Sequence, residues 1–117
     1  MHAPRILPLV TTVVLSAAYL YLGTRPQNPD AFRHLSDKLV HAGAYGVLAA
    51  AAGEAAVGMG LAPAPLIGWG YAVGHGALLE VVQRATPPRA AEVADVLADA
   101  AGAAVGTVAL LAWRQRR

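Results

Sequence analysis

Lys38, His41 and Tyr45 follow one another at spacings of three and four, so a helix carrying them presents an amine, an imidazole and a phenol on one stripe, with Asp37 beside it. Glu80, Gln83 and Arg84 form a second polar stripe. Glu92, Asp95 and Asp99 form a third, which continues as Gly102 and Gly106. Cations of this kind hold phosphate or carboxylate through charge-assisted hydrogen bonds, while carboxylates take hydroxyl or amine groups. In acid–base chemistry, His41 or Glu80 would serve as general base, with Asp95 or Asp99 as its orienting partner or as an acid. The sequence identifies no nucleophile, and no HExxH spacing occurs. His41 with Glu80, Asp95 and Asp99 is a poor match to a metal donor set, so no metal and no cofactor are expected. Cysteine is absent, which excludes disulfide scaffolds, thiolate zinc sites and cysteine nucleophiles.

The elements that must position these groups are apolar. The chain has 117 residues, 56% hydrophobic and only 14% charged, well below the quarter or so of charged residues that soluble domains carry. Four apolar runs, at about 6–22, 38–57, 65–83 and 92–113, have the length of membrane-spanning helices. They leave no room for a soluble domain, so residues 1–117 read as one all-α integral membrane four-helix bundle, antiparallel and up-down-up-down. The first run, behind His2 and Arg5, reads as a retained helix rather than a cleaved signal, because Ser16-Ala17-Ala18 is a poor cleavage context. Residues 23–36, with two prolines and several charges, read as a solvated or interfacial loop, with Ser36 or Asp37 capping the second helix. Gly58 to Pro65 reads as a short turn joining the second and third helices. Gly70 and Gly74 fit the small-xxx-small pattern of close helix packing.

Alternating helices bring the start of the second, the end of the third and the start of the fourth to one face of the bilayer, where the three stripes meet. Asp99 lies seven residues beyond Glu92, ~10 Å along a helix, hence below the interface, where a carboxylate is costly unless paired. Lys38, Arg84 and Arg89 are the counter-charges expected for Glu80, Asp95 and Asp99. His75, about 140° around the helix from Glu80, reads as a packing histidine that faces elsewhere and bonds a neighbouring backbone group. Glu54 reads as reaching the opposite interface, and Tyr19, Tyr21, Trp69 and Trp113 as interfacial anchors.

Asp37-Lys38-Leu39-Val40-His41 with Tyr45 resembles the first motif of the VanZ-like membrane proteins. The run EVVQRATPPRAAEVADVLADAAGAAVG, carrying Glu80, Gln83, Pro88, Arg89, Asp95, Gly102 and Gly106, resembles their second. The matching stretches span residues 37–106 in the family's order. Asp99 departs from the pattern, standing where the family more often has asparagine. The resemblance implies a bacterial membrane protein of a family in which one member raises resistance to the lipid-tailed glycopeptide antibiotic teicoplanin. It implies no reaction.

The function expected is binding, and by extension modifying or shielding, a lipid headgroup or cell-wall precursor in a polar pocket at the outer membrane face. The pocket would be formed by Asp37, Lys38, His41, Tyr45, Glu80, Gln83, Arg89, Asp95 and Asp99. The alternatives are a membrane-embedded hydrolase or transferase acting on a lipid-linked substrate and a proton-coupled small transporter, the latter short of polar residues through the bilayer depth. The partners expected are membrane lipids and a lipid-linked precursor or lipoglycopeptide, with glycine faces that permit a homo-oligomer. The net charge of +2 is spread over helix ends, which argues against nucleic acid. The Arg114-Gln115-Arg116-Arg117 tail places both termini in the cytoplasm in this reading, with the chain multi-pass in a bacterial cytoplasmic membrane.

Overall fold

Alanine, leucine and valine runs whose prolines, Pro8 and Pro65, fall only in a first turn favour helix, and in lipid a helix satisfies its own backbone donors and acceptors. The computed structural model describes residues 6–24, 31–85 and 93–116; the side chains of 31–37 and of 93 and 94 lie outside that description. Four helices make up the described chain, with no strand among the described residues: α1 (Ile6–Gly23), α2 (Ala31–Gly58), α3 (Ala64–Arg84) and α4 (Val93–Gln115). Three of them, α1 and the segments Lys38–Gly58 and Asp95–Gln115, are long and apolar enough to cross a membrane. The third helix has the length, but four glycines with His75, Glu80, Gln83 and Arg84 lower its hydropathy.

Helix α2 begins seven residues before the span read from its hydropathy. Residues 31–36, expected as loop, are helical, so the cap candidates Ser36 and Asp37 lie within α2 and do not cap it. The physical reason is that the prolines at 26 and 29 both precede Ala31, and nothing after them interrupts a helix. At its far end α2 stops as the sequence suggests. Gly60 adopts φ +72°, Gly60 N–H donates to Val57 O at 3.0 Å, and Leu61 N–H donates to Ala56 O at 2.9 Å. This is the Schellman arrangement, which needs a left-handed residue and satisfies carbonyls the helix leaves open.

Packing centres on α2, which lies against α4, α3 and α1, while α1 touches α3 only lightly. Between α2 and α4 the residue numbers of facing pairs rise together, from Lys38 with Asp95 to Glu54 with Arg114. Between α2 and α3 they run oppositely, Tyr45 meeting His75 and Ala49 meeting Gly68. The interior is built of small residues around Tyr45, Leu48, Ala49, Ala72 and Ala103. Large apolar side chains such as Val13, Leu39, Val81, Val105 and Val108 point outward. This reverses the soluble arrangement and suits a lipid surround, where close backbone approach supplies the packing energy.

Two glycines set the α2–α4 distance. A Cβ on Gly102 would strike Ala42 O, and one on Gly106 would strike Gly46 O. The stripe expected at Gly70 and Gly74 is not used this way: both are exposed with open space around them. On α3 the close approaches belong to Gly68, against Ala49 and Gly53 of α2, and to Gly76, against Asp99 of α4.

Candidate polar site at one end of the bundle

The stripe of α2 faces the stripe of α4. Lys38 Nζ donates to Asp95 Oδ1 at 3.0 Å, and one turn deeper His41 Nδ1 lies 2.8 Å from Asp99 Oδ1. Asp95 is 5% exposed and Asp99 1%, so each carboxylate has left water and is compensated by a nitrogen from α2. With Asp99 ionised, His41 Nδ1 carries the proton of that bond. Asp99 gains its room from α3: a Cβ on Gly76 would lie 2.6 Å from Asp99 Oδ2.

A third pair lies below. Tyr45 OH is 2.7 Å from His75 Nδ1, and His75 Nε2 is 2.8 Å from Ser16 O. A backbone carbonyl only accepts, so His75 carries its proton on Nε2, and in the neutral ring Nδ1 accepts from the Tyr45 hydroxyl. The His41 and Tyr45 rings stack with centroids 6.2 Å apart, and Tyr19 packs against Tyr45 at 5.5 Å while its hydroxyl donates to Ala44 O at 2.9 Å. Ser16 Oγ completes the layer, 2.6 Å from Tyr71 OH.

At the same end α3 contributes Glu80 and Gln83, both buried. Glu80 Oε1 lies 3.6 Å from Arg84 Nη2. Gln83 Nε2 donates to Gly23 O at 2.7 Å, tying α3 to the end of α1, while its buried Oε1 has no hydrogen-bond partner among the described residues.

The structure therefore pairs Lys38 with Asp95, His41 with Asp99 and Glu80 with Arg84, and buries Tyr45 and Gln83. Asp99 takes an imidazole where a lysine or arginine was expected. The Asp37 side chain and Arg89 lie outside the described residues, as does Glu92. Among the described residues, no three His, Asp or Glu side chains gather as metal ligands.

His75 is a packing histidine that bonds a neighbouring backbone group, as its position suggests, and its other nitrogen reaches Tyr45 of the α2 stripe, a contact the helical angle from Glu80 did not show. Tyr19 and Trp69, both partly buried, pack against the core, with Trp69 Nε1 donating to Ala100 O at 3.4 Å. Tyr21 and Trp113 are exposed. The contribution of α1 went unread, yet Thr12, Ser16, Tyr19 and Gly23 recur at four, three and four, which is one helix face. Glu54, read as merely interfacial, meets Arg114 at the opposite end of the bundle.

No family model, curated protein or solved structure matches the chain.

Proposed function

We propose that this chain is a multi-pass protein of a bacterial cytoplasmic membrane, an antiparallel up-down-up-down bundle of four spanning helices with both termini cytoplasmic. Its polar end, at the outer face, binds the headgroup of a lipid or lipid-linked cell-wall precursor. The observation that carries this reading is the pair of buried carboxylates, Asp95 and Asp99, matched to Lys38 and His41 with Glu80 and Gln83 at the same end. Buried ion pairs are poor devices for stability alone, and ionisable groups at membrane depth mark functional sites. The facing pairs, rising together along α2 and α4 and opposed along α2 and α3, support the alternation of helices. The motif resemblance to the VanZ-like proteins agrees in setting and supports a lipid-tailed glycopeptide or its precursor target as the class of ligand.

The test is to purify the protein in native lipid discs and identify by mass spectrometry the lipids and cell-wall intermediates enriched over bulk membrane. Lys38→Met and Arg89→Ala should each lose the enriched species while circular dichroism stays unchanged. Folded variants that retain it would end the proposal.

A second reading, a hydrolase or transferase, is favoured by one feature, the Asp99-held His41. That arrangement orients an imidazole as a general base. Headgroup release that disappears in His41→Gln would support it.

A further inference from the structure

The end of the bundle away from the polar site carries a groove of about 740 Å³ between α1, α2 and α4. Its walls are Leu7 and Pro8 of α1 and Val47, Ala50 and Val57 of α2, with Glu54 and Arg114 as its charged lining. These two form a two-pronged contact: Arg114 Nη2 donates to Glu54 Oε2 at 3.0 Å, and Arg114 Nε lies 2.9 Å from Glu54 Oε1. The inner prong is buried. The side chains remain 31% and 28% exposed for Arg114 and Glu54, so the outer prong opens to the groove.

The pair does not exhaust either group. A guanidinium has five N–H donors, and the three not directed at Glu54 are available to an anion. A carboxylate accepts about four hydrogen bonds, so Glu54 can take N–H donors from a cation while keeping Arg114. Donor and acceptor thus stand side by side at one depth. That depth suits headgroups: Arg114 is in the last turn of α4, beside the exposed Trp113, and Glu54 lies one turn before α2 ends at Gly58.

We infer that this groove binds a phospholipid whose headgroup joins a phosphate to a primary ammonium. The phosphate is held by Arg114 and the ammonium by Glu54, and one acyl chain lies along Leu7, Val47 and Ala50. Charge complementarity selects the class. A purely anionic headgroup leaves Glu54 facing a negative charge, and a quaternary ammonium has no N–H to give it. The inference is independent of the site at the other end.

The probe is the full chain in phosphatidylcholine nanodiscs doped with equal phosphatidylethanolamine and phosphatidylglycerol, with retained lipids counted by native mass spectrometry. Phosphatidylethanolamine should be enriched over both others by about tenfold, the effect of one charge-assisted hydrogen bond. Glu54→Gln should reverse the preference toward phosphatidylglycerol, because Arg114 is then an unmatched cation. Val47→Trp, at an exposed position, should fill the groove and abolish enrichment with the ion pair intact, which covers the case of a misfolded Glu54 variant. A pair that only fastens α2 to α4 would lower the melting temperature in Glu54→Gln and leave lipid preference unchanged; that result, absence of phosphatidylethanolamine enrichment in the natural sequence, or a dimer occupying the groove would overturn the inference. Asp99→Asn should leave this preference intact, so the two sites fail separately.

Discussion

His75 shows how a single backbone acceptor fixes the chemistry of a buried ring. Because Ser16 O can only accept, a proton stays on Nε2, and in the neutral ring Nδ1 accepts from Tyr45. Nitrogen-15 NMR of selectively labelled histidine should therefore report a proton on His75 Nε2. His75→Phe leaves the Tyr45 hydroxyl and the Ser16 carbonyl without their partner, and should cost about 1–3 kcal/mol in reversible unfolding from detergent. Asp99 depends on a residue that has no side chain at all. Gly76→Ala pushes a methyl into the space of its carboxylate and should cost about 1–3 kcal/mol, with a shift in the His41 ring resonances as the local sign. His41 and Asp99 were readable from sequence because ionisable groups stand out in an apolar chain. The spacing of Ser16 and Tyr19 marks their shared face of α1 but not their partners, since those bonds run through main-chain oxygens.

At the scale of elements, the α2–α4 seam rests on Gly102 and Gly106. Alanine at either must separate the helices, whereas alanine at Gly70 or Gly74 meets nothing. Gly102→Ala and Gly106→Ala should thus destabilise by about 1–3 kcal/mol, and Gly70→Ala and Gly74→Ala should be neutral or stabilising by up to about 1 kcal/mol through helix propensity. Comparing the four by thermal unfolding in one detergent checks both halves. Helix ends were legible at Gly58 and Pro65, where glycine and proline punctuate the chain. The start of α2 was not, because residues 31–37 are too polar to register as an apolar run, although their helical propensity is ordinary. Glycine spacing alone did not distinguish the 102 and 106 stripe from the 70 and 74 stripe; the faces turned inward by neighbouring helices do.

For the whole molecule, small residues inside and valine and leucine outside mean that, in the proposed membrane setting, folding relies on close contact and polar pairing rather than on escape from water. The chain contains no cysteine, so single cysteines introduced near Arg5, Met59 and Arg116 report sidedness without background. The proposed orientation predicts that all three are shielded from an impermeant thiol reagent in intact cells and react after permeabilisation. Labelling of any of them in intact cells would invert the assignment of the polar end.

Two of the bonds that moor the first helix are accepted by oxygens of its own main chain: Ser16 O receives His75, and Gly23 O receives Gln83. Those acceptors survive almost any replacement in α1 that preserves the helix. Part of the instruction for docking α1 is thus written in α3, and relatives of this protein should tolerate drift at the outward positions of their leading segment while holding His75 and Gln83 in register.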